Sequence, residues 1–298
     1  MALLVAALAG FAPPARGQAP ELRAAASLFV PGLGQALNGD YVEGGAQFGL
    51  FLVLDRQYQV LINQPDYINP NDRTDSNRNI TINRTSFDAD LYATALTDLP
   101  FYSAFSAYRD ARQLSANQGY STPAPQETLD QAAVAPFQWE YLKRPTAWIP
   151  ALIALGSALV PPTGSSYLYR PERGLTRTEM TFGFAGQFEM VAVGEESFFR
   201  GVLNNGFSSA FGENWGLAGS SVVFGLAHAG VGAQATPFEA TVFGAYLGWL
   251  QQRNDYDIRE GVAIHFWWDF LTALAMLHTR TAQSAQTPVR LAEVAFKF

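Results

Sequence analysis

Gly194-Glu195-Glu196-Ser197-Phe198-Phe199-Arg200-Gly201 sets two adjacent carboxylates and an arginine inside an apolar run that extends from about residue 179 to 212. An ionisable side chain carried into hydrocarbon costs at least ~2.5 kcal/mol, so such residues mark a functional site whose partners must be found. Two downstream stretches supply them. Phe224-Gly225-Leu226-Ala227-His228 places an aromatic ring and an imidazole four residues apart, and His265-Phe266-Trp267-Trp268-Asp269 does the same for an imidazole and a carboxylate. On a helix, that spacing puts each pair on one face. The same spacing pairs Glu196 with Arg200 and leaves Glu195, rotated by about 100°, to face a cavity.

The chain has 298 residues, of which 48% are hydrophobic and only 15% charged, with a mean hydropathy of +0.01. Few charges together with neutral hydropathy mean apolar runs diluted by polar loops, here about 56–90 and 111–145. A net charge of −7 and the lack of any Lys/Arg stripe interleaved with aromatics exclude nucleic acid as an expected partner. With no cysteine, disulfides, thiolate chemistry and cysteine-based zinc sites are excluded.

In chain order, residues 1–17 read as a signal peptide: a short apolar run, Pro13-Pro14, then small residues, although the usual basic start is missing. Residues 18–112 read as a membrane-associated helical module. Its first part, Ala24 to Leu54, forms a helical hairpin around the turn Asn38-Gly39-Asp40-Tyr41. The run Pro31-Gly32-Leu33-Gly34-Gln35 there resembles small bacterial membrane modules with that signature. Residues 56–90 form an exposed loop, with a short hairpin near Asn79–Thr85. Leu91 to Tyr108 is a kinked helix, interrupted by Asp98 and Pro100. Residues 113–145 are a linker, residues 146–278 a domain of closely packed helices rich in small residues, and 279–298 a tail. The fold class is therefore all-α: a polytopic helical membrane protein with an N-terminal hairpin and polar loops.

The order EExxxR, FxxxH, HxxxD over about residues 146–278 resembles the intramembrane CAAX proteases and bacteriocin-processing enzymes, relatives of the type II CAAX prenyl endopeptidase. The resemblance implies an intramembrane endopeptidase that cleaves a membrane-anchored or amphipathic protein in the lipid bilayer, in a bacterium at the inner membrane. It implies that Glu195 and His228 activate a water, that His265 and Asp269 hold the oxyanion, and that Phe224 walls the substrate site. Glu196 and Arg200 complete the set. For Asp269 two roles are open, a protonated hydrogen-bond donor or a partner that orients His265, and the first is favoured. No cofactor is expected; the alternative is zinc held by Glu195, His228 and His265. Ser197 lacks the Gly-x-Ser-x-Gly context of a serine nucleophile. A different class of function, a non-catalytic membrane scaffold or envelope assembly factor of the same fold, uses the same polar residues only to lock helices together.

Overall fold

The computed structural model describes residues 19–73, 79–159, 168–172, 174–229 and 236–278. The expected signal peptide and the tail lie outside the described residues. The hairpin region is three helices, α1 (Pro20–Phe29), α2 (Leu33–Asn38) and α3 (Tyr41–Ile62). Turn chemistry sets these boundaries. Gly39 ends α2 with φ +95°, and Asp40 starts α3 by accepting a hydrogen bond from the Glu43 backbone at 2.9 Å. Gly32 takes φ +89°, and a methyl group there would stand 2.0 Å from the Gly44 carbonyl oxygen, so only glycine lets α2 and α3 close on each other. Buried Gln35 then ties this unit to the next long helix. Its amide donates to the Ser103 carbonyl and the Ser106 hydroxyl, both at 2.8 Å, while its oxygen accepts from Ser27 at 2.7 Å.

That long helix, α4, runs Arg84–Leu114 through Pro100 and starts where Asn83 Oδ1 accepts from the Ser86 backbone. The loop before it differs from expectation. Asn79–Asn83 forms a strand, β1, that pairs in parallel with a distant strand, β2 (Leu168–Glu172), instead of folding into a local hairpin. Its Ile80 and Ile82 are buried, because strand alternation in Asn-Ile-Thr-Ile-Asn presents both isoleucines to one face.

The stretch expected as a linker is largely structured. It holds the short helices α5 (Leu129–Val134) and α6 (Trp139–Leu142) with a 3₁₀ turn between them, and it packs on the last helix, where Phe137 meets Phe266 edge-to-face and Trp267 donates to the Pro136 carbonyl. There follow α7 (Pro145–Leu159), α8 (Arg177–Glu195), a nine-residue π-helix (Glu196–Asn204), α9 (Asn205–Phe211), α10 (Glu213–Ala227), α11 (Pro237–Arg253) and α12 (Arg259–His278). Thr176 and Thr236 open α8 and α11 with capping boxes closed by Glu179 and Glu239.

Apart from the two strands, the described structure is helical, as the sequence implies. No described helix is long and apolar enough to cross a membrane, so the expected spans are not seen. The apolar helices α7 and α10 have only 15 residues each, and the longer α3 carries Glu43, Asp55 and Arg56.

Candidate active site

The π-helix is the local departure that builds the site. Its i→i+5 bonding widens the backbone directly after Glu195, a distortion that is rare and concentrated at functional sites. Side chains from α11 brace it. Gln251 donates to the Arg200 carbonyl at 2.9 Å and accepts from Asn204 at 2.6 Å, and Arg200 donates to the Gly244 carbonyl at 3.3 Å.

Glu196 is fully buried, and its Oε1 lies 2.9 Å from Arg200 Nη1 and 2.8 Å from His265 Nδ1. The first contact is the pair the spacing suggests. The second, between helices far apart in sequence, is invisible to it. With Nδ1 held by Glu196, the His265 ring turns Nε2 toward the remaining acids, 3.3 Å from Asp269 Oδ2 and 3.8 Å from Glu195 Oε2. Neither oxygen of Asp269 accepts a hydrogen bond among the described residues, and the same holds for Glu195 Oε2. Buried polar atoms are normally paired, and several unpaired ones meet at this point.

Phe224 is buried in the centre. The Arg200 guanidinium stacks over its ring at 4.3 Å, the His228 ring lies 4.5 Å away, and the His265 ring 6.2 Å away. His228 caps the end of α10, where its Nδ1 meets the Phe224 carbonyl at 2.8 Å. The structure therefore brings Glu195, Glu196, Arg200, Phe224, His228, His265 and Asp269 together. Exposure divides them: Glu196, Arg200, Phe224, His265 and Asp269 are sealed, whereas Glu195 retains 14% side-chain exposure and His228 is half-buried.

The acids and bases tune one another. Burial raises the Glu195 carboxyl above the usual carboxylate range, against the opposing pull of His228 and then His265. Burial acts to lower His265, but the charge of Asp269 3.3 Å away, with Glu196 behind it, prevails and holds it at about 10. Burial lowers Arg200, and Glu196 and Glu195 oppose that. His265 is thus an imidazolium across neutral pH, with both ring nitrogens as donors.

The zinc alternative finds no ligand geometry. Among the described residues no group of three or more His, Cys, Asp or Glu side chains is arranged to hold a metal ion.

One residue of the site escaped the sequence pattern. Asp98 of α4, noted there only as an interruption of a kinked helix, is buried against Gly194. Its signal was faint: an acid in an apolar helix two residues before a proline.

Residues 178–271 match the family model described as type II CAAX prenyl endopeptidase Rce1-like. This segment has the Rce1-like pattern. It contains all seven residues that the spacing singled out, and it bears out the resemblance read from them, although it begins later than residue 146 and covers less than half of the chain. The Rce1-like family is a family of membrane proteases, which supports a peptide-bond hydrolase at a coarse level. No curated protein and no solved structure matches the chain.

Proposed function

We propose that the chain is a membrane-bound endopeptidase in which Glu195 activates a water to cleave a membrane-anchored or amphipathic protein. The observation that carries this reading is the meeting of Glu195 Oε2 and His265 Nε2 at 3.8 Å, inside a buried polar cluster of which the Glu195 side chain keeps 14% exposure. A base of raised pKa and a charged donor side by side are what hydrolysis of an amide needs. Water oxygen attacks the scissile carbonyl carbon while its proton passes to Glu195, with His228 at the mouth of the site assisting. The carbonyl oxygen becomes an oxyanion, held by the Nε2–H of His265. Collapse of the tetrahedral adduct breaks the C–N bond, and Glu195 returns its proton to the leaving amine. Glu196 serves to orient His265 through Nδ1, and Arg200 balances the charge of Glu196.

The membrane part of the proposal rests on the exterior. Along α3 only Gly44 is buried, while Phe48, Leu50, Leu52 and Val53 are exposed; α7 exposes Trp148, Ile149, Leu152 and Ile153. Contiguous apolar surface on this scale marks contact with lipid or protein, and the family match favours lipid.

The test is cleavage of quenched fluorescent apolar peptides, with and without a prenylated C-terminal cysteine, by the full chain in lipid vesicles. Wild type cleaves, and Glu195→Ala loses at least ~10²-fold in rate, the contribution typical of a general base. Equal rates in the two proteins would leave the scaffold reading in its place.

A further inference from the structure

Outside the Rce1-like segment, a buried acid of the N-terminal module meets the catalytic helix. Asp98 on α4 is 5% exposed, and its Oδ1 accepts no hydrogen bond among the described residues. A methyl group on Gly194 would stand 2.6 Å from both Asp98 Cβ and Asp98 Oδ1, so the carboxyl lies directly on the residue preceding Glu195. That placement is fixed from both sides. Upstream, Thr94 accepts from Gln187 of α8 at 3.0 Å; downstream, Phe101 stacks on Phe198 at 5.0 Å and meets Phe199 edge-to-face at 5.6 Å. Phe199 in turn meets Phe224 at 5.0 Å, so the rings run continuously from α4 into the site.

A lone buried carboxyl is costly to ionise, and an apolar residue would pack there without that cost. Its neighbours explain its presence. The charged groups that act on it are Glu195 at the end of α8 and His265 on α12. Burial first, and the charge of Glu195 second, hold its carboxyl well above the usual range, while His265 opposes them. Two acids that share one buried site do not both ionise readily.

We propose that Asp98 is a positioning residue of the site, an uncharged carboxyl delivered by α4 that leaves the pair's single negative charge on Glu195. Its meaning for catalysis rests on the endopeptidase reading, but the pairing itself is measurable without a substrate. The measurement is the infrared C=O stretch of protonated carboxyl groups, followed by pH titration of the full chain in phosphatidylcholine vesicles. At neutral pH the wild type shows a buried protonated-carboxyl band that Asp98→Asn lacks. In Glu195→Gln, where the like charge is gone, the Asp98 band is lost at a pH lower by ~1 unit or more. Circular dichroism checks folding; should Asp98→Asn not fold, Glu195→Gln still decides. An unchanged band in Asp98→Asn, or an unchanged titration in Glu195→Gln, would overturn the pairing. Full cleavage by Glu195→Gln would instead remove the endopeptidase reading while leaving the shared charge intact.

Discussion

Asp269 lies 3.3 Å from the same His265 nitrogen that faces Glu195, and this contact separates the two roles the sequence left open. A protonated donor at that position would point its proton at a ring nitrogen that is itself a donor. We therefore propose the second role, a partner that orients His265. Asp269→Asn should lower the cleavage rate by ~10-fold or more with an unchanged helical spectrum, and a near-normal rate would restore the donor role. The raised pKa of His265 also has a stability consequence. A base held at about 10 in the folded state, against 6.5 when free, stabilises the fold fully below pH 6.5, and that contribution disappears as pH rises through 10. The thermal midpoint should fall across this window, and His265→Asn should flatten that part of the fall; equal slopes for both proteins would contradict the pairing. At this scale the sequence was informative where partners share a helix. Glu196–Arg200, Phe224–His228 and His265–Asp269 are all four apart, so helical geometry alone brings each pair together. Glu196–His265 and Asp98–Gly194 join separate helices, and no local spacing encodes them.

The elements around the site show the same division between local and distant causes. Helices were legible from apolar runs, whereas the π-helix at Glu196–Asn204 was not, because its support comes from Gln251 on another element. β1 was misread as half of a hairpin since its partner, Leu168–Glu172, is remote in sequence. The segment 113–145 looked like a linker because its polar composition hides anchors such as Glu127, whose carboxylate accepts from the Ile258 backbone at 3.2 Å. The Pro31–Gln35 signature gains a physical reason: Gln35 satisfies three buried groups at once. Gln35→Leu would take the acceptor from the Ser27 hydroxyl and one of two partners from Ser106, which keeps Glu43, and at ~1–3 kcal/mol for a buried group left unpaired it should destabilise the chain by about that amount. Denaturant titration measures this, and a loss below ~1 kcal/mol would show that the network is dispensable.

For the whole molecule, the N-terminal module and the Rce1-like segment meet along α4, which touches α8 through Phe87, Thr94 and Asp98 and the π-helix through Phe101. The apolar exterior is expected to face acyl chains. Trp148 on α7 and Trp249 on α11 are each close to half exposed, so variants keeping only one of these tryptophans should be quenched by lipids brominated on their acyl chains. Unquenched emission from both would place the apolar surface against protein instead. The central claim, that the cluster around Glu195 hydrolyses peptide bonds of membrane proteins, is tested most directly on the natural mixture of substrates. Membranes from cells expressing Glu195→Ala are incubated with purified wild-type chain, and new protein N-termini are read by mass spectrometry. The account predicts a defined set of new termini in membrane-associated proteins, absent when Glu195→Ala is added in place of wild type; identical termini in both incubations would contradict it.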